Sequence, residues 1–256
     1  MKNHHEELKF SGFITVRSSS NRLPRKCFLP FGENENVLTH VINRSKYFGI
    51  DTIICTSNDS LDDEIEEIAN KMEVKIFRGS LKNKLKRWAD CANYFGINAF
   101  HTIDADDPFF DGNLMRKSMK LLAEKELDCV CPTKASSNGS ASVGYSLTSK
   151  IVNESIKDLS EDDDTEMMWY FLEKIKNIKM EELVDDNEFD KKLRLTLDYE
   201  EDYWLLSFLK RLLGTYASRE QINNLFAKNP DLAKINLFRN DEWKNAQLKK
   251  KNIDKQ

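Results

Sequence analysis

The first half of the chain repeats one rhythm, a short apolar run followed by an amphipathic segment of helical period. That rhythm limits the fold more than any other feature. Phe10–Val16 reads as a strand and Val37–Phe48 as a helix, separated by a polar loop that contains Pro24. Thr52–Cys55 is the next strand; Ser60 is placed to cap a helix in which Ile65, Ile68, Ala69 and Met72 recur on one face, and Val74–Phe77 follows as a strand. Leu81–Phe95 is helical, Ala99–Ile103 is a strand ending in acids, Asp111 caps Leu114–Glu126, and Asp128–Pro132 is a fifth strand. Strands and helices that alternate in this way predict an α/β fold, a mostly parallel sheet with helices on both faces.

The rhythm breaks at Lys134–Ser142, a stretch rich in Ser, Asn and Gly. Beyond it, Val143–Leu147 and Met180–Val184 read as strands flanking a helix around Thr165–Lys176, which together predict a small inserted α+β lobe over about 134–190. The acidic run Glu161–Asp164 reads as a solvated loop and helix N-terminus. Leu193–Leu197 returns to strand-like alternation, and Glu201–Leu213 with Arg219–Ala227 gives closing helices, so that 200–251 is helical up to a frayed tail at Lys249–Lys251. The 256 residues are expected to form a single domain.

Charge narrows the partners. Lys and Arg number 39 and Asp and Glu 43, for a net charge of −4. A chain so balanced has no bulk attraction for nucleic acid or an anionic membrane, and phosphate chemistry must be local. The N-terminal residues carry charge where a secretory signal would be apolar, and no stretch is long enough to span a bilayer, so the expected compartment is the cytoplasm. The five cysteines, Cys27, Cys55, Cys91, Cys129 and Cys131, lie in apolar runs without a CxxC pair and read as reduced core thiols.

In an open α/β sheet ligands gather beyond the carboxyl ends of the strands. After the first strand, Arg17–Lys26 sets four cations beside four small polar side chains, Ser18 to Asn21, a composition that suits a polyphosphate and equally a solvated basic loop. After the fourth strand, Asp104, Asp106 and Asp107 crowd together, where like charges repel unless a cation joins them. Magnesium takes one or two carboxylates with substrate oxygens, so Asp106 with one distant acid would suffice. Asp198 follows Leu193–Leu197 and is either that acid or the N-cap of the next helix. Arg78-Gly79-Ser80 after the third strand either meets a ligand or turns the chain, and Lys82, Lys84, Lys86 and Arg87 are expected mostly on a solvated helix face.

Arg17-x-x-Ser20-x-Arg22-Leu23-Pro24-x-Lys26 resembles the N-terminal signature of the cytidylyltransferases that activate acidic sugars. The likeness is closer still to the SpsF-like branch of spore-coat polysaccharide biosynthesis. It continues through Thr56-Ser57-Asn58, Phe77–Ser80, Asp104–Pro108, Leu195–Asp198 with Glu201-Asp202, and Asn229–Leu232. The resemblance implies a Rossmann-like nucleotidyltransferase using CTP and Mg2+, for surface polysaccharide or glycoconjugate synthesis, and a homodimer built by the inserted lobe. It also implies that Arg17, Ser20, Arg22 and Lys26, with Arg78, Gly79 and Ser80, bind the nucleotide, that Asp106 and Asp198 bind metal, and that Arg17, Lys26, Asp106 and Asp198 are catalytic. Arg25 stands where such signatures commonly have glycine, and the segment after Ser80 is basic where the branch is acidic, which points to an anionic acceptor: an acidic sugar, a sugar phosphate or a phosphonate.

An ionised acceptor would need no general base, and the sequence offers none: His101 reads as a core residue, His40 lies mid-helix, and His4 and His5 are terminal. Two rival readings remain open at this level. Asp104-x-Asp106 also fits a GT-A glycosyltransferase that holds a nucleotide sugar through a metal, and a non-catalytic nucleotide-binding protein would carry the same basic loop.

Overall fold

The computed structural model describes residues 9–185 and 193–253. The first half runs β1 (Phe10–Thr15), a hairpin of β2 (Pro30–Gly32) and β3 (Glu35–Asn36), α1 (Val37–Tyr47), β4 (Thr52–Ser57), α2 (Asp63–Lys71), β5 (Lys75–Gly79), α3 (Lys84–Phe95), β6 (Ala99–Asp104) and α4 (Gly112–Glu124). The second half adds β7 (Cys129–Cys131), β8 (Ser146–Thr148), α5 (Ser149–Ser155), α6 (Trp169–Leu172), β9 (Met180–Glu182), α7 (Glu200–Leu213), α8 (Arg219–Lys228) and α9 (Arg239–Ile253). Seven strands form one sheet in the order β5-β4-β1-β6-β8-β7-β9. β8 runs antiparallel to both β6 and β7, and the other pairings in this sheet are parallel. The mostly parallel α/β sheet expected from the rhythm is thus what forms.

Both faces of the sheet are buried. Along β1 and β4, Ile14 and Ile54 join a core with Leu38 and Val41 of α1 and Ile65 of α2, while Phe13 and Ile53 face Leu85 and Trp88 of α3. Two adjacent apolar residues pointing to opposite faces need helices on each side, which the crossovers supply. The helix starts are chemical: Asn36 and Thr39 bond each other's backbone N–H at α1, Asn83 accepts from Lys86 N–H at α3, and Asp111 accepts from Asn113 and Leu114 N–H at α4.

Several expected elements differ. Ser60 caps no helix; Asp59 accepts from Leu61 N–H, a short 3-10 turn follows at Ser60–Asp62, and α2 starts at Asp63. The helix expected at Thr165–Lys176 shrinks to α6, and strands β8 and β9 of the 134–190 stretch hydrogen-bond into the main sheet. Leu193–Leu197 is no ladder strand. It is an extended segment whose Leu195 and Leu197 N–H groups donate to the Gly139 and Asp106 carbonyls, while Leu193, Leu195 and Leu197 bury against α7 and α8 in a third apolar cluster. Alternation records one buried side, and a helical layer can provide that side as well as a sheet can. The Lys249–Lys251 run continues α9.

His40 and His101 are core residues, as the sequence suggests for His101. His40 Nε2–H donates to the Pro108 carbonyl at 2.8 Å, and His101 Nε2 accepts from Gly144 N–H at 3.1 Å. Burial pushes both imidazoles down to about 3. The unfolded chain binds these protons near pH 6.5 and the folded chain only near pH 3. Their contribution is therefore complete above pH 6.5 and lost progressively as the pH falls toward 3. Urea unfolding should show stability declining from pH 7 to 5 by up to about 1.4 kcal/mol per pH unit per histidine. His101→Gln should flatten that slope, and an identical midpoint at pH 7.5 and 5 would contradict the assignment.

Candidate functional site

Strand order places the site. The chain builds outward from β1 through β4 to β5, then crosses to β6 on the other side of β1, so the carboxyl ends of β1 and β6 flank the point where the order reverses. Thr15 pairs with Asp104 at that edge, which sets the Arg17–Lys26 loop beside Asp104–Pro108. A cavity of about 440 Å³ opens there, lined on one wall by Ser19, Ser20, Asn21, Arg22 and Lys26 and on others by Arg17, Arg87, Asp104 and Asp106.

Lys26 joins the two acids that stand 92 residues apart in sequence. Its Nζ donates to Asp106 Oδ2 at 2.6 Å, to the Leu197 carbonyl at 2.8 Å and to Asp198 Oδ1 at 2.9 Å. Burial works against the ammonium, yet the two carboxylates hold its pKa above the ordinary lysine value. Arg22 Nη2 also donates to Asp198 Oδ1. Burial would raise Asp198, but Lys26 and Arg22 pull it down to about 2, so it is ionised throughout the physiological range. Asp198 is not a helix N-cap. The N-cap is Tyr199, and Asp202 in the first turn reaches back with its carboxylate to the Asp198 and Tyr199 N–H groups at 2.9 and 3.0 Å.

The loop itself is held from below. Ser18 N–H and Oγ both donate to Asp62 Oδ1 at 2.7 Å, so Ser18 is turned away from the cavity, and of the four small polar side chains only Ser19, Ser20 and Asn21 line it. Burial opposes the Asp62 charge, but hydrogen bonds from Ser57 and Ser18 outweigh it and keep the pKa below the usual carboxylate value. Arg25 takes φ 55°, the left-handed region that favours glycine, and its guanidinium leaves the site to pair with Glu64. Arg25 therefore adds no contact inside the cavity.

Arg78, Gly79 and Ser80 are not brought to the cavity. Arg78 ties β5 to the α2 start through Asp63, Glu66 and the Ser57 and Asp59 carbonyls, and Ser80 Oγ donates to the Glu161 carbonyl. The expected solvated face of α3 is likewise different: Lys84 and Arg87 are buried, and Arg87 lines the cavity. The acidic run is not simply solvated either. Asp162 pairs with Lys82, Asp164 and Glu166 line the cavity, and the Glu166 carboxylate pairs with Arg17 at 3.0 Å and Lys84 at 3.5 Å. Arg87, Glu166, Asp62 and Asp202 thus carry structure or charge at the site that the local pattern did not assign; the one signal was the opposite charge of Lys82–Arg87 and Glu161–Glu166.

No group of three or more His, Cys, Asp or Glu poised for a metal exists among the described residues. Asp106 and Asp198 nevertheless offer oxygen donors close enough to share one ammonium, a set that suits a hard divalent ion completing its shell with substrate oxygens and water. No helix is long and apolar enough to cross a membrane among the described residues.

The family model described as cytidylyltransferase matches residues 12–231. An uncharacterised protein of Methanocaldococcus jannaschii is 26% identical over 234 residues, covering 90% of this chain and 95% of that protein. The spore coat polysaccharide biosynthesis protein SpsF of Bacillus subtilis is 24% identical over 235 residues, covering 86% and 95%. Among solved structures, a cytidylyltransferase from Leptospira borgpetersenii superposes with a TM-score of 0.79 at 24% identity, covering 89% of this chain and 97% of that one, and shares the fold.

Proposed function

The chain belongs to the cytidylyltransferase family, and on that premise we propose that it transfers CMP from CTP to an anionic acceptor with release of pyrophosphate. An acceptor oxygen attacks the α-phosphorus, and the bond to the β-phosphate oxygen breaks. The observation that carries the reading is the meeting of Asp106 and Asp198 at Lys26, the last cation of the Arg17–Lys26 loop. Lys26, Arg22 and Arg17 would donate to phosphate oxygens that gain charge as the bond breaks, and Ser20 would help orient them. Asp106 and Asp198 would hold a magnesium ion, which when bound neutralises the reacting phosphoryl group. Neither His40 nor His101 reaches the cavity, which favours an acceptor that arrives ionised, such as an acidic sugar, a sugar phosphate or a phosphonate.

That Asp164 and Glu166 line the cavity supports an acceptor role for the 134–190 stretch, and the family likeness supports reading the same stretch as a homodimer face within a single cytoplasmic domain. Arg78 to Ser80 act here through loop placement.

A thermal-shift screen of the four nucleoside triphosphates with magnesium tests the nucleotide. CTP at a hundredfold excess over its Kd should stabilise the protein by about 2.7 kcal/mol and raise the midpoint by roughly 5–10 °C. Pyrophosphate release with pooled anionic acceptors tests the transfer. Release of free UDP or GDP from a nucleotide sugar would point to the glycosyltransferase instead, and CTP binding without turnover across the panel to a non-catalytic binder.

A further inference from the structure

Arg87 is the least satisfied cation at the site. Its side chain is 1% exposed, and its Nη1 donates to the Ser80 carbonyl at 2.6 Å, but Nε and Nη2 have no hydrogen-bond partner among the described residues. A buried guanidinium with two unused donor nitrogens is costly to hold unless a ligand completes it. It lies on the cavity wall beside Arg17, and one helical turn from Lys84.

Glu166 stands in front of this group. Its two carboxylate oxygens are divided between Arg17 Nη2 and Lys84 Nζ. It follows Thr165, which is fixed by accepting from Leu85 N–H at 2.9 Å and donating to Asn83 Oδ1 at 3.0 Å. Thr165 is fully buried, whereas the Glu166 side chain is 34% exposed, so the backbone here is anchored while the carboxylate already meets water. Three cations, Arg17, Lys84 and Arg87, therefore surround one removable carboxylate, with Asp104 as the other acid near Lys84.

We infer that Lys84 and Arg87 form an oxyanion subsite for the charged group of the acceptor, and that the Glu166 carboxylate occupies it until that group displaces it. The inference rests on the nucleotidyltransferase reading and adds to it where the acceptor's charge is held. The triphosphate is the other source of the same chemistry. Its cations Lys26 and Arg22 stand with Asp106 and Asp198, whereas Lys84 pairs with Glu166 and Arg87 feels the charge of that carboxylate, which favours the acceptor.

Calorimetric titration of the full chain separates the sources. Inorganic phosphate is the probe, titrated alone and onto protein saturated with magnesium and an α,β-methylene analogue of CTP; CTP affinity is measured beside it. Arg87→Gln should weaken phosphate binding at least about tenfold, the scale of a lost charge-assisted hydrogen bond, and Arg87→Lys should restore part of it. Glu166→Gln should strengthen phosphate binding to the nucleotide-saturated protein severalfold, and CTP affinity should stay within about threefold in both Arg87 variants. Loss of CTP affinity equal to that for phosphate in Arg87→Gln would give the subsite to the triphosphate and overturn the inference. So would phosphate binding that neither Arg87→Gln nor Glu166→Gln alters. If Arg87→Gln fails to fold by circular dichroism, Glu166→Gln alone decides. An unaltered chain that binds no CTP overturns the nucleotidyltransferase reading instead, and the phosphate titration without nucleotide still judges the subsite.

Discussion

On the proposed reaction, Lys26→Ala is expected to lower the rate of pyrophosphate release at least about a hundredfold while leaving the protein folded, because it would remove a donor to the phosphates and cost roughly 3–4 kcal/mol of transition-state stabilisation. Asp106→Asn should lose as much. The fold survives in the first variant because Asp198 keeps Arg22 at 2.5 Å and Arg194 at 3.4 Å. The two changes touch the same ion pair, so the double variant should lose less than the sum of the singles. Steady-state turnover with CTP, paired with thermal midpoints, checks both points. Full activity in either single variant would remove that residue from the chemistry.

The second large effect is on stability. Arg194 and Asp202 form a bidentate pair, with both contacts at 2.8 Å and neither side chain exposed, and Asp202 also accepts from Asn236 at 2.9 Å. Asp202→Ala strands a buried guanidinium and should cost about 3–5 kcal/mol, or roughly 10 °C in the midpoint. An apolar pair, Arg194→Met with Asp202→Leu, should recover much of that loss. Its turnover should stay low, since Asp198 would have lost the Arg194 contact and the carboxylate that tethers its backbone N–H. A double variant that regains activity along with stability would show that this pair only supports the fold.

The parallel half of the fold was legible because each βα unit is local: its strand, cap and apolar face lie within one stretch of sequence. Asp106 and Lys26 were legible for a related reason, since each directly follows a strand or sits in the loop after one. Asp198 was found for partly the wrong reason, as Leu193–Leu197 alternates without pairing into a sheet. Arg87 and Lys84 were hidden because a helical period reports which positions share a face and not whether that face meets water. Glu166 was hidden because its partners Arg17 and Lys84 lie 149 and 82 residues away. Asp62 was missed for the same cause: a carboxylate four residues beyond Asn58 gives no sign that it braces Ser18.

The distance along the chain between the parts of the site also bears on how the protein comes into being. Leu197 N–H bonds the Asp106 carbonyl, and Asn236 and Asn240 bond the Arg194 backbone and side chain, so the acid pair is braced in part by contacts reaching residue 240. Closing such spans is slow compared with forming the local βα units. During synthesis the Arg17–Lys26 loop and Asp106 emerge long before Asp198, and a nascent chain that ends before Asp198 holds only half of the proposed site. Competence for chemistry therefore arrives in one late step.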